Sequence, residues 1–137
     1  MNDFSIPSSQ STPEIRSDWT AGQLHMAGDS YPENSFDMFQ QVFDWIESYL
    51  DQAPAPLSLE LRLLYLNTSS VKAMMDVFDL LEAAHQNGKQ VQVNWYYDPQ
   101  NERVAELAEE FKEDCTFTFN IISDDHQFFL TCLCNLL

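Results

Sequence analysis

The chain has 137 residues, 45% hydrophobic and 13% aromatic, which fits one domain with a single packed core. Six Lys and Arg stand against 22 Asp and Glu, and the resulting formal charge of -16 repels phosphate backbones and anionic surfaces, so nucleic acid and membrane are excluded as partners while a basic protein patch is not. No apolar run is long enough to span a bilayer, Met1 to Gln10 lacks the basic and apolar parts of a secretion signal, and Cys115, Cys132 and Cys134 are odd in number and clustered late, so a cytoplasmic protein with reduced thiols is expected.

In chain order, residues 1–11, rich in Ser, Gln and Pro, offer little to bury and read as a flexible N-terminal arm ahead of a domain over 12–122. From Glu14 to Ala27, Ile15, Trp19, Leu24 and Met26 flank Thr20-Ala21-Gly22, the pattern of a β-hairpin. Gly28 to Ser35 reads as a turn-rich connector. Phe36, Phe39, Val42, Phe43, Ile46, Tyr49 and Leu50 then recur at helical spacing, with Asn34 or Ser35 as the cap. Pro54 and Pro56 end that helix. Leu57, Leu59, Leu61, Leu63 and Tyr65 alternate with Ser58, Glu60 and Arg62, and Leu64 and Leu66 predict a central strand that becomes fully buried at its carboxyl end.

Asn67-Thr68-Ser69-Ser70 is a run of capping residues before a second helix marked by Val71, Met74, Met75, Phe78, Leu81 and Ala84 and closed by Asn87-Gly88. Met74, Met75 and Phe78 read as core, with Met beside the loop also suited to an adaptable partner surface. Gln90 to Tyr97 alternates as a strand, and Asp98 and Pro99 start a third helix whose buried side is Val104, Leu107, Ala108 and Phe111. Phe117, Phe119 and Ile121 give a final strand. Residues 123–137 form a C-terminal tail whose Phe128, Phe129, Leu130, Leu133, Leu136 and Leu137 suit a last helix. The class is α/β: an N-terminal hairpin, then alternating helices and strands in a mixed, mostly parallel sheet with helices packed against it.

In open α/β sheets, reactive groups gather at the carboxyl ends of strands, where the next helix presents free backbone N–H groups, and Asn67 to Ser70 occupy that place. The residues alone leave open that these hydroxyls only cap the helix. Three stretches carry more: Tyr65-Leu66-Asn67-Thr68-Ser69-Ser70-Val71-Lys72-Ala73-Met74-Met75-Asp76, Gly28-Asp29-Ser30-Tyr31-Pro32-Glu33-Asn34-Ser35, and Asn101-Glu102-Arg103-Val104-Ala105-Glu106-Leu107-Ala108-Glu109-Glu110-Phe111. Together they resemble the SiaC family of regulatory phosphoproteins over roughly Ser11 to Thr116, with no counterpart after Ile122.

The resemblance implies an STAS-like fold, related to anti-sigma factor antagonists, and a non-enzymatic partner-switching role without a cofactor. It implies phosphorylation of Thr68 by a histidine-kinase-like serine/threonine kinase, reversal by a PP2C-like phosphatase, and activation of a diguanylate cyclase by the unmodified form, which tunes cyclic di-GMP and hence biofilm or aggregation. Asn67, Ser69, Ser70, Lys72 and Met75 surround Thr68 as expected partner-binding residues. An anti-sigma factor as target, with transcription as the output, is the alternative.

Other chemistry has thinner support. His25, His85 and His126 have no partners at metal-ligand spacing, and Cys132-Leu133-Cys134 supplies only two ligands, so no metal is expected. Asp76 and Asp79, one turn apart, are the sole basis for an acid–base enzyme, and a solvated helix face explains them better. The glutamates of the third helix read likewise as a solvated face.

Overall fold

Period-two alternation and helical stripes sort the described residues, 3–33 and 35–123 of a computed structural model, into six strands and three helices. In chain order these are β1 (Ser5–Ile6), β2 (Glu14–Asp18), β3 (Gln23–Ser30), α1 (Ser35–Gln52), β4 (Leu57–Leu66), α2 (Thr68–Gln86), β5 (Val91–Tyr97), α3 (Glu102–Glu113) and β6 (Thr118–Ser123). The strands lie side by side in that order, antiparallel from β1 to β3 and parallel from β3 to β6. The expected mixed, mostly parallel sheet is therefore what forms.

The two faces of the sheet have different fates. Leu57, Leu59, Leu61 and Leu63 of β4 are at most 1% exposed and face the helices, where each contributes roughly 2 kcal/mol of transfer free energy. Trp45 and Tyr49 of α1 stack at 5.4 Å, and Trp19 meets both rings edge-on at 5.9 and 5.0 Å. On the other face the alternate residues form a polar ladder. Gln92 donates to Ser58 Oγ at 3.3 Å, Asn94 to Glu60 Oε1 at 3.3 Å and Asn120 to Asn94 Oδ1 at 2.9 Å, while the Arg62 guanidinium lies 4.2 Å from the Tyr96 ring centre.

The structure departs from the sequence expectations in four places. Within the supposed loose arm, Ser5 and Ile6 pair with Arg16 and Ile15. Asp3 explains this: one carboxylate oxygen accepts from the Trp45 indole at 3.1 Å, the Trp19 amide at 2.9 Å and the Ser17 hydroxyl at 3.0 Å. Strand β3 runs on through Gly28, Asp29 and Ser30, which composition had marked as a turn, because these residues pair with the carboxyl half of β4. The register shifts there, with Gly28 opposite Leu63 and Asp29 opposite Tyr65. Leu64 is the extra residue of a bulge, so the expected burial of the strand end holds at Leu66 but fails at Leu64 and Tyr65, which are 48% and 55% exposed.

Finally, α3 begins at Glu102 rather than at Asp98 and Pro99. Asp98 is spent on a turn, accepting from the amides of Gln100 and Asn101, and Asn101 caps the helix by accepting from Val104 N at 3.3 Å. Asn34, one of two expected caps for α1, and the tail beyond Ser123 lie outside the described residues. In the hairpin turn, Gly22 has φ 70, and a Cβ there would meet Pro56 O and the Tyr49 hydroxyl oxygen at 2.5 Å, so only glycine fits.

Glu82 of α2 ties the loop before β6 to the helix layer, accepting from the hydroxyl of Thr116, its amide at 2.7 Å and Gln86 Nε2 at 2.7 Å. The Thr116 hydroxyl bond, then its amide bond and the Gln86 bond favour the charged form, lowering this carboxyl from 4.5 to about 2. A depressed folded value means that the stabilisation is complete above the unfolded value and fades as pH falls through the folded one. We predict that wild type melts above Glu82→Gln at pH 7, and that the gap narrows from pH 4.5 downward and closes below about 2, as read by circular dichroism at each pH.

Candidate functional site

A parallel strand that ends at a sheet edge must hand the chain to a helix whose first N–H groups have no partner within the helix. At the end of β4 this task falls to Asn67. Its Oδ1 accepts from Ser70 N at 2.9 Å, and its own amide donates to Ser30 O at 2.9 Å, fastening the start of α2 to the end of β3.

The three neighbouring hydroxyls then diverge. Ser70 is 0% exposed, and its Oγ shares a hydrogen bond of 2.8 Å with Ser30 Oγ, also 0% exposed, so both buried hydroxyls are satisfied. Ser69 donates to Asn67 Oδ1 at 3.1 Å. Thr68, the first residue of α2, is exposed, and among the described residues nothing hydrogen-bonds its hydroxyl. The cap is thus an asparagine, not a threonine, and Thr68 is left over. Ser70, expected among the partner-contacting residues, is corrected to an internal fastener, because a fully buried side chain touches no partner.

Exposed apolar side chains lie at the same end of the fold as this hydroxyl. The exposed large hydrophobics among the described residues are Tyr31, Phe36, Leu64, Tyr65 and Met75. Tyr31 follows β3, Phe36 opens α1, Leu64 and Tyr65 end β4, and Met75 lies two turns along α2, so all five border the carboxyl edge of the sheet or the start of its helices. Tyr31 and Tyr65 meet edge-to-face at 5.9 Å. Asn101 Nδ2 donates to Leu64 O at 3.0 Å, holding the bulge against α3.

Met75 at 48% exposure is not core, unlike Met74 at 0% and Phe78 at 3%; it turns to solvent on the Thr68 side of α2. Lys72 is exposed and lies 3.8 Å from Asp76, a surface pair of small energetic weight. Asp76 and Asp79 are both exposed, and Asp79 stands at the rim of an open groove between α2 and α3. Tyr31, Tyr65, Ser30 and Asn101 were not anticipated as parts of the site. The bulge that turns Leu64 and Tyr65 outward leaves no composition signal, although Ser30, Tyr31, Tyr65 and Asn101 all lie inside the three stretches that resemble the SiaC family.

The Thr68 hydroxyl is thus exposed and unbonded on the first turn of a helix, at the carboxyl edge of a mixed α/β sheet. The SiaC family model, described as SiaC family regulatory phosphoprotein, matches residues 6–124, and the chain belongs to that family. It is 62% identical over 125 residues to an uncharacterized protein of Pseudomonas aeruginosa strain UCBPP-PA14, covering 91% of this chain and 99% of the relative. The crystal structure of apo-SiaC from Pseudomonas aeruginosa superposes with a TM-score of 0.85 at 61% identity, over 89% of this chain and 99% of that one. A crystal structure of the diguanylate cyclase SiaD in complex with its activator SiaC, from the same organism, gives 0.86 at 63% identity, over 88% and 99% of the two chains. Among the described residues no helix is long and apolar enough to cross a membrane.

The division of labour between cap and free hydroxyl is measurable. Asn67→Ala should destabilise the protein by about 1 kcal/mol in urea unfolding, since it strands the Ser70 amide. Thr68→Ala should stay within about 0.5 kcal/mol of wild type. Equal losses at both positions would mean that Thr68 also supports the helix.

Proposed function

We propose that this chain is a partner-switching regulator of the cytoplasm, not an enzyme. Unphosphorylated, it binds and activates a diguanylate cyclase and so raises cyclic di-GMP; a histidine-kinase-like serine/threonine kinase phosphorylates Thr68 and stops this, and a PP2C-like phosphatase restores it. The observation that carries this reading is the free, exposed hydroxyl of Thr68, followed by two serines whose hydroxyls are committed. The SiaD–SiaC complex, whose SiaC component is 63% identical to this chain, favours a cyclase over an anti-sigma factor as the target.

Physically, phosphorylation adds about -1.5 to -2 charges and three acceptor oxygens at an end of the fold that also exposes apolar side chains. The helix itself tolerates this. The phosphate sits where backbone N–H groups and the helix dipole favour an anion, so the domain keeps its fold. A partner seated on Tyr31, Tyr65 and Met75 would have to strip water from a dianion, and an unpaired buried charge opposes association by several kcal/mol.

The cyclase SiaD of Pseudomonas aeruginosa serves as the probe. Wild type and Thr68→Ala should both stimulate its cyclic di-GMP synthesis. Thr68→Asp, or wild type phosphorylated by the cognate kinase, should bind roughly tenfold or more weakly. Thr68→Ala should take up no phosphate from that kinase. Phosphate on Thr68→Ala, or full stimulation by Thr68→Asp, would contradict the mechanism.

A further inference from the structure

Parallel sheets are normally covered on both faces. Strands β3 to β6 are parallel, yet among the described residues helices cover one face only. The register sorts the open face into rows that run across the strands. Gln23, Ser58, Gln92 and Thr118 make one row, and His25, Glu60, Asn94 and Asn120 make the next. Both rows are polar and tied by side-chain hydrogen bonds, His25 to Gln23 at 2.9 Å among them, so they suit water.

The third row is different. Ala27 pairs with Arg62 and Tyr96 with Ile122, and the Arg62 guanidinium, 4.2 Å from the Tyr96 ring centre, joins the two pairs. Leu64, 48% exposed, lies just beyond. Ala27, Leu64, Tyr96, Tyr97 and the stem of Arg62 line a groove of about 190 Å³, bordered by Asp98. The open face thus ends, at the carboxyl edge, in a mostly apolar furrow that gains by being covered.

The course of the chain limits what can reach it. Ser123, the last described residue, pairs with Tyr97 of the groove, so residue 124 starts one strand away. From His126 to Leu137 there is no Asp, Glu, Lys or Arg, while Phe128, Phe129, Leu130, Leu133, Leu136 and Leu137 are apolar. That stretch approaches the acidic domain without repulsion, whereas a second copy would bring a further formal charge of -16. Length fits too. Ten residues span roughly 15 Å even when helical, and the three steps from β6 to β3 cover about 14 Å.

We propose that residues 128–137 fold back across this row as an intramolecular cover, with their apolar side chains seated on Ile122, Tyr96 and Leu64. The family model ends at residue 124, so this segment lies beyond the matched domain. Leu64 then belongs to the fold, and the apolar side chains left for partners are Tyr31, Phe36, Tyr65 and Met75.

NMR of the full chain with labelled methyl groups and aromatic rings tests the cover. Nuclear Overhauser cross-peaks should link side chains of Phe128 to Leu137 with the methyls of Leu64 and Ala27, both remote in sequence. Leu64→Asp should abolish the cross-peaks to Ala27 while the side-chain amide signals of Asn94 and Asn120 stay in place. Phe128→Ser with Phe129→Ser, outside the described domain, should shift the Leu64 methyl resonances without changing the pattern of the β4 and β5 amides. Absence of the cross-peaks in wild type, or unmoved Leu64 methyls in the double variant, would overturn the proposal. So would cross-peaks seen only between differently labelled chains, since the occupant would then be a second copy.

Discussion

Three contacts start helix α2 and seat it on the sheet: the Asn67 carboxamide caps it at the Ser70 amide, the Asn67 amide donates to Ser30 O, and the Ser30 and Ser70 hydroxyls pair in the interior. Everything about the site depends on them. Because the asparagine supplies the cap and Ser70 turns inward to a partner 40 residues earlier in the chain, the helix starts without using Thr68. A hydroxyl that holds up nothing can be modified without disturbing what lies beneath it. The same contacts set its place, on the first turn of a helix, where an added anion is favoured by the backbone.

The surroundings follow from the one-sided sheet. Helices cover only one face among the described residues, and the other carries the polar ladder of Ser58, Glu60, Gln92, Asn94 and Asn120. Exposed apolar side chains are concentrated near the carboxyl edge, and the bulge at Leu64 accounts for part of that concentration. Without the register shift, β4 would continue its alternation; with it, Leu64 and Tyr65 both reach the surface beside the Thr68 turn. An acidic surface of formal charge -16 then does two things: it keeps the domain soluble, and it biases encounters toward basic partner surfaces.

Much of this architecture was legible in the residues, because its main elements carry strong periods. The alternation of Leu57 to Leu63 and the helical stripe of Met74, Phe78 and Leu81 each state a buried face directly. What escaped was set by distant partners. Ser5 and Ile6 are strand only because Asp3 reaches Trp45 and Trp19, and Gly28 to Ser30 are strand only because β4 offers them a ladder; neither fact is local. Met74 and Met75 are the same residue type on the same helix, and about 100° of rotation decides that one is core and the other surface. Thr68 was picked out by resemblance over three long stretches, since a run of asparagine, threonine and serines does not reveal which member caps. The geometry supplies the physical reason for preferring it.

The central claim is that a phosphate at Thr68 changes a surface and leaves the fold alone. Amide nitrogen–proton NMR spectra of the unmodified chain and of the chain carrying phosphothreonine at position 68, introduced during translation, compare the two states residue by residue. Shifts confined to Ser30 and Tyr31, to Tyr65 through Met75 and to the region of Asn101 are the predicted result. Changes spread through β5 and the buried face of α1, or a collapse of spectral dispersion, would show that the modification acts by unfolding and would contradict it.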